Sequence, residues 1–216
     1  REKMKKIIIT LMLSMVFANQ VVYAAFEDTY WGVRALGMGG AFTAVANDAN
    51  APLYNVAGTA FTAQNEATLM GSRLFTGLEG VEVGANYIGF VHPIDAKYGS
   101  ISFAWTSIST PGLRREDTFN IGYARVMNDI LRLDSEIVEL SAGLNVKYLM
   151  QEVKFGPEEQ DLDTYKGAMT GDIALLAMFS NGIGVGYTSK YIVPADIGFM
   201  EKDEVKNINV LGLSYY

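Results

Sequence analysis

The sequence predicts an all-β protein, a transmembrane antiparallel β-barrel with about eight strands in this chain, preceded by a plug segment. Three observations lead to this fold class. Short stretches after residue 65 alternate between apolar and polar residues. The N-terminus has the pattern of an export signal. Half of the 216 residues are hydrophobic and 22 are glycine, yet the body of the chain holds no long apolar run.

The first segment, residues 1–24, is predicted to be a signal peptide. A positive region at Lys5 and Lys6 precedes an apolar run over residues 7–18. Polar residues end that run short of the ~20 residues that a spanning helix needs, which disfavours the alternative of an N-terminal membrane anchor. We expect cleavage after Ala24 and a mature chain outside the cytoplasm.

Residues 25–65 are predicted to form a close-packed plug, here called the hatch, because small residues dominate and no alternation is present. A short helix is expected at residues 42–46, ended by the polar residues that follow. The glycines at 37, 39 and 40 lack the preceding strand and long following helix of a dinucleotide loop. A nucleotide site is therefore not predicted.

Residues 66–216 are predicted to form the barrel wall. The period of two is clearest at 138–151, where apolar residues alternate with Glu139, Ser141, Asn145 and Lys147. Successive side chains of a strand point to opposite faces, so this rhythm indicates sheet and not helix. We expect strands at 66–75, 82–92, 100–106, 118–124, 138–151, 168–179, 183–192 and 207–216.

Turn residues separate these strands, and the strongest hairpin signal is Asn181-Gly182. The other expected turns are Pro93-Ile94-Asp95, Pro111-Gly112 and Asn128-Asp129, with longer acidic connections at 156–167 and 193–206. A soluble β-sandwich also alternates, but its strands usually run ~5–6 residues. These strands approach the ~9–11 residues that cross a bilayer, which favours a wall with aromatic and aliphatic residues toward lipid.

The stretch from Gly32 to Gly58 resembles the N-terminal signature of the FadL-like outer-membrane proteins. That signature is roughly G-x-R-x-x-G-M-G-G-A, followed by an Asp-Ala pair and by an aromatic residue before Asn-Pro-Ala-Gly. This chain has Val56 where the family has proline. The strand spacing and the loop at 194–199 are most similar to the PorV/PorQ branch. The matching hatch residues are Arg34, Gly37, Gly39, Gly40, Asp48, Asn55, Ala57 and Gly58.

The resemblance implies a barrel of about 14 strands in the outer membrane with the hatch inside. It leaves two functions open. FadL itself carries long-chain fatty acids and other hydrophobic compounds by diffusion, whereas PorV-like members assist protein secretion and surface attachment. The expected partners are accordingly outer-membrane lipid, together with a hydrophobic small molecule or a secretion-system protein.

An eight-stranded barrel has an interior that its own side chains fill, so a hatch of about 40 residues would not fit inside it. We therefore expect the sequence to be the N-terminal part of a longer protein. The alternative is a complete barrel, since barrels of this class commonly end in aromatic residues such as Tyr215 and Tyr216.

Composition excludes several other functions. The net charge is −7, cysteine is absent and only one histidine is present. The acidic balance disfavours nucleic-acid binding, and no nucleophile–base pair, cofactor motif or metal-ligand set can be assembled. His92 is expected to be a polar strand-end residue, and an enzyme is not predicted.

The remaining candidates concern the lumen. Asp172 and Lys147 are expected to point inward, where Arg34 and Asp48 of the hatch are candidates to pair with such wall charges. An apolar pocket inside the barrel would hold the hydrophobic compound, with the hatch moving to release it. Its candidate lining residues are Phe42, Ile88, Phe90, Leu149, Leu176 and Met178.

Overall fold

The structure is a computed structural model that describes residues 31–77, 82–95, 97–154, 164–199 and 202–215. The predicted signal peptide and most of the acidic connection at 156–167 lie outside these ranges. Of the described residues, none belongs to a helix long and apolar enough to cross a membrane.

One antiparallel sheet of eight strands dominates the described chain, which confirms the all-β prediction. Strands that follow one another in the chain pair side by side, and the sheet is open, with its first and last strands at the two edges. A small separate hairpin of two short strands comes in the chain just before the last strand of the sheet. The strands are β1 (Glu66–Leu74), β2 (Val83–Asp95), β3 (Gly99–Thr110), β4 (Arg114–Val126), β5 (Val138–Val153), β6 (Thr164–Phe179), β7 (Ile183–Lys190), β8 (Ala195–Asp196), β9 (Glu204–Val205) and β10 (Ile208–Tyr215).

The two faces of the sheet differ in chemistry as the alternation predicted. The inner face carries the hatch, and its residues are mostly small or polar, such as Ser102, Ala104 and Asn120, all buried. The outer face carries large apolar side chains that are exposed, among them Ile101 and Ile121. Because the period of two holds along β3, β4 and β5, the predicted face assignments there are confirmed.

Most of the predicted turns are present. Asn181-Gly182 connects β6 to β7, with Gly182 at φ 86°, and the turn at Pro111-Gly112 connects β3 to β4. The prediction of a turn at Pro93-Ile94-Asp95 is wrong, because β2 continues through Asp95. The ladder to β3 is irregular between Pro93 and Asp95, and such an irregularity accommodates a proline that cannot donate a ladder hydrogen bond.

The described part of the hatch, residues 31–65, consists of short elements and turns. They are helix α1 (Val33–Gly37), helix α2 (Ala51–Tyr54) and a 3₁₀ helix (Val56–Phe61), and helix α3 (Asn128–Leu131) lies later in the chain between β4 and β5. The prediction of a short helix at residues 42–46 is wrong. Gly39 and Gly40 have positive φ, and the chain then forms turns in which Val45 N–H donates to the Phe42 carbonyl.

Candidate functional site

The hatch has an apolar core of its own. Phe42 and Tyr54 pack edge to face with ring centroids 5.3 Å apart, and Ala35, Ala46 and Ala51 surround them. The Tyr54 hydroxyl accepts from Trp31 N–H at 2.9 Å and donates to the Trp31 carbonyl at 2.8 Å. These contacts fold the segment back on itself before it meets the wall.

Arg34 and Asp48 pair with each other. Arg34 Nη1 lies 2.9 Å from Asp48 Oδ2 and 2.7 Å from Asn47 Oδ1, and the guanidinium stands over the Phe42 ring. The prediction that these two charges pair with charges of the wall is therefore wrong. Residues 14 apart in sequence are brought together by the turns at Gly39 and Gly40, and the pair closes the hatch on itself.

Glycines on the inner face let the hatch backbone approach the sheet closely. A Cβ at Gly143 would lie 2.7 Å from Ala57 N, and one at Gly186 would lie 2.2 Å from the Thr43 carbonyl oxygen. Glycine inside a strand commonly marks such an approach of another backbone. Glycine within these strands is thus a sequence signal for where the hatch docks, in addition to the period-two alternation.

Polar side chains of six strands hold the hatch to the wall. Asn55 is the centre: it is fully buried, its Oδ1 accepts from Ala57 N–H, and its Nδ2 donates to the carbonyls of Thr43 and Leu175. The remaining hydrogen bonds run from Tyr87 Oη to the Ala49 carbonyl, Asn145 Nδ2 to the Pro52 carbonyl, Thr188 Oγ1 to the Tyr54 carbonyl, Ser214 Oγ to the Ala44 carbonyl, Ala49 N–H to Glu66 Oε2, and between Thr59 Oγ1 and Ser100 Oγ.

The residues of the predicted hatch motif therefore have different roles. Asn55, Ala57 and Gly58 lie at the contact with the wall or within the packed interior of the hatch, where a Cβ on Gly58 would meet the Ala46 carbonyl at 1.5 Å. Gly39 and Gly40 supply positive φ for the turns. Gly37 has open space at its Cβ position and an ordinary φ, so nothing in its surroundings requires glycine.

A buried ion pair lies beside the hatch on β5 and β6. Lys147 Nζ is 2.7 Å from Asp172 Oδ2, and the two side chains are 4% and 2% exposed. Asp172 also accepts from Tyr191 N–H at 3.0 Å and from Asn145 Nδ2 at 3.2 Å. The predicted inward orientation of Lys147 and Asp172 is confirmed, and Asn145 links this pair to the hatch.

The segment after β7 covers the inner face beyond the ion pair. Tyr191, Ala195 and Ile197 pack on Leu149 in a buried apolar cluster. Lys166 of β6 fixes this segment through Asp196, at 2.9 Å, and through the Gly198 carbonyl. Strands β8 and β9 have two residues each, which is too short for the periodicity analysis to detect.

The six candidate lining residues are distributed over both faces. Phe42, Leu149 and Leu176 are fully buried against protein, and Met178 packs beside Leu176. Ile88 and Phe90 are 38% and 40% exposed and point to the outer face, so their predicted inward orientation is wrong. The inward residues of β2 include Tyr87 and Val91, which pack against the hatch. Because β2 has large apolar residues on both faces, alternation alone does not show which face points inward.

The outer face carries an inclined apolar band. On β3 the band is centred on Phe103, whose row of paired residues crosses β5 at Val146. On β10 its described outward residues are Leu211, Leu213 and Tyr215. The row of the middle residue, Leu213, crosses β5 at Leu140, six residues from Val146. From β3 to β10 the band crosses five strand spacings of ~4.8 Å and shifts by six residues of ~3.3 Å along the strands. The ratio of these two displacements places the strands at about 40° to the normal of the band.

Aromatic residues with polar partners mark the borders of the band. Trp105 Nε1 donates to Asp117 Oδ1 at 3.1 Å near one border, and the hydroxyls of Tyr148 and Tyr165 are 2.8 Å apart on the same side. Near the other border Tyr123 Oη donates to the Tyr98 carbonyl at 2.7 Å. Each ring thus has an apolar body toward the band and a polar atom with a partner beyond it.

Among the described residues, no group of three or more histidine, aspartate or glutamate side chains is placed to hold a metal ion. His92 Nδ1 lies 2.6 Å from Asn65 Oδ1 at the end of the wall. Comparisons with protein-family profiles, with curated proteins and with solved structures find no match to this chain.

Proposed function

We propose that this sheet is part of the wall of an outer-membrane β-barrel, with its outer face against lipid and the hatch on the lumen side. The inclined apolar band carries the proposal. Strands of transmembrane barrels tilt by roughly 35–45° to the membrane normal, and an inclination of about 40° makes the band parallel to the membrane plane. Aromatic residues at both borders support the same orientation.

Exposure of the outer face supports lipid over water as its solvent. Leu211, Leu213 and Tyr215 are 70%, 71% and 81% exposed on one strand, and the apolar side chains continue across the sheet. Soluble monomers rarely expose contiguous apolar patches above a few hundred Å². A membrane would bury this surface.

The two tryptophans give a direct test of the wall. Trp105 lies on the outer face, whereas Trp31 is buried beside Tyr87 on the inner face with ring centroids 6.1 Å apart. In liposomes of brominated phosphatidylcholine we expect strong fluorescence quenching in the Trp31→Phe variant, which keeps Trp105. The Trp105→Phe variant, which keeps Trp31, is the matched control and should be quenched weakly. Equal quenching, or a protein that stays monodisperse in buffer without detergent, would overturn the proposal.

The proposed activity is passive passage of hydrophobic compounds such as long-chain fatty acids, with the hatch as gate. Burial of an apolar compound in the lumen would supply about 25 cal/mol per Å². In the described conformation Phe42, Leu149 and Leu176 are packed against protein. This arrangement corresponds to a closed gate, and passage requires the hatch to leave the wall.

A disulfide across the hatch contact tests this gating, since the chain contains no cysteine. Thr59 Oγ1 and Ser100 Oγ are 2.8 Å apart, close enough for a Thr59→Cys, Ser100→Cys pair to form a bond. We expect oleate uptake into proteoliposomes to stop on oxidation and to return on reduction. The Thr59→Cys single variant is the control. Uptake that is equal in both redox states would refute hatch gating.

The second candidate is a PorV-like accessory of protein secretion or surface attachment. The attachment of the hatch to six strands favours this function. A barrel whose hatch never leaves the wall has no route for a transported compound, but its loops and outer face can still bind a protein partner. Absence of oleate uptake in both redox states, together with co-purification of a secretion component from a native membrane extract, would favour this function over transport.

A further inference from the structure

A groove interrupts the apolar band on the outer face. Its volume is about 520 Å³, within the range of roughly 300–1,000 Å³ that is usual for ligand sites. Its floor is Ala142, the smallest of the outward residues of β5 from Val138 to Tyr148. Leu144, Ile173 and Leu175 form its sides, so a long apolar chain fits its chemistry.

One end of the groove carries an arginine that is paired with an aspartate. Arg125 lies opposite Ala142 in the ladder between β4 and β5, and its guanidinium pairs with Asp129 of the following connection. Arg125 Nε is buried and has no hydrogen-bond partner. A guanidinium has five donors and matches phosphate geometry, so it has donors left for an anion beside the Asp129 contact.

Arg125 lies just beyond the border of the band on β4, where the apolar residues end with Tyr123. At this end of the sheet the strands are joined by connections of 3, 11 and 3 residues, on average shorter than the 8, 3, 10 and 17 residues between strands of the main sheet at the opposite end. In transmembrane barrels the short turns face the periplasm. The groove thus runs from an interfacial arginine into the apolar band, as a lipid does from its phosphate into its acyl chains.

We propose that this groove binds one phospholipid of the periplasmic leaflet, with an acyl chain over Ala142 and the phosphate on Arg125. The inference rests on the proposed membrane wall and goes beyond it, because bulk lipid contacts the whole band without stoichiometry. The groove lies on the outer face, which in the proposed wall contacts the bilayer, and this position selects a membrane phospholipid over a free fatty acid in the lumen.

The test uses the full chain in dodecyl maltoside micelles doped with phosphatidylglycerol, with bound lipid counted by native mass spectrometry. We expect one retained lipid in the wild type and a drop of at least about tenfold in affinity when Ala142→Phe fills the floor. Ala67→Phe is the matched control, since Ala67 is exposed on the outer face of the edge strand β1 and lies far from the groove. It should bind like the wild type.

The headgroup contact has its own readout. Arg125→Gln should weaken phosphatidylglycerol binding while leaving retention of diacylglycerol, which lacks the phosphate, unchanged. Equal retention of phosphatidylglycerol in the wild type and Ala142→Phe overturns the proposal, and equal loss of both lipids in Arg125→Gln overturns the phosphate contact. Flotation with liposomes distinguishes failure of the groove proposal from failure of the proposed membrane wall. A protein that floats but retains no lipid refutes the lipid site alone, whereas a protein that does not float refutes the membrane wall as well.

Discussion

Removal of one partner of the buried Lys147–Asp172 pair should destabilise the fold strongly. In Lys147→Met the Asp172 carboxylate stays almost fully buried, with hydrogen bonds from Tyr191 N–H and Asn145 but without its counter-ion 2.7 Å away. Breaking such a pair costs about 3–5 kcal/mol. The double variant Lys147→Met, Asp172→Asn removes both charges and loses one hydrogen bond of Asp172, so we expect a cost of only about 1–2 kcal/mol.

Equilibrium urea unfolding in detergent micelles, followed by tryptophan fluorescence, measures these free energies of unfolding. Lys202→Met is the control, because Lys202 and Glu204 form a solvent-exposed pair at 2.7 Å and the variant should unfold like the wild type. A Lys147→Met cost below about 1 kcal/mol, or a double variant whose cost is the sum of the two single costs, would contradict a desolvated, mutually dependent pair.

Three further outcomes are expected. Gly58→Ala should destabilise by about 1–3 kcal/mol or prevent folding, because its Cβ would meet the Ala46 carbonyl, whereas Gly37→Ala should be neutral or slightly stabilising in helix α1; urea unfolding compares the two. Asn55→Ala should cost about 2 kcal/mol or more through three lost hydrogen bonds, while Asn209→Ala on the exposed face should cost little. The hydrogen bond from Lys166, with those from Gly198 and Asp203 N–H, lowers the pKa of Asp196 to about 2, so its contribution to stability should hold above the ordinary aspartate pKa of about 3.9 and fade as pH falls toward 2; a carboxyl NMR titration with a midpoint near 4 would contradict it.

The sequence was sufficient for the main sheet because lipid or water on one face and a packed hatch on the other impose strict alternation. The first half of β3, with Ile101 and Phe103 opposite Ser102 and Ala104, follows that rule. The rule failed for β2, where the hatch places Trp31 against Tyr87 and so requires large apolar residues inward as well. Period-two arguments identify faces only where the two environments differ in polarity.

The candidate site was less accessible to sequence reasoning because it depends on pairings between distant segments. Alternation was enough to place Lys147 and Asp172 on one face, but the contact of Asn145 with the Pro52 carbonyl joins residues 93 apart. Likewise the outer groove arises because Arg125, Ala142 and Leu175 share one ladder row, and this register is set by the whole sheet. Neither feature has a local signature.

The inner-face glycines bear on how the hatch and the wall fold. Gly122, Gly143 and Gly186 would each place a Cβ within 3 Å of hatch atoms, and the hatch in turn presents small residues such as Ala57 at these points. Glycine inside a strand is destabilising when nothing packs against it. Glycine at these positions therefore favours the folded state only when the hatch is docked. The buried carbonyls of the hatch likewise depend on donors from the strands, such as Thr188 Oγ1. Because each half leaves unsatisfied groups or empty space without the other, hatch and wall should form as one cooperative unit, and any gating motion must replace these contacts with water or ligand.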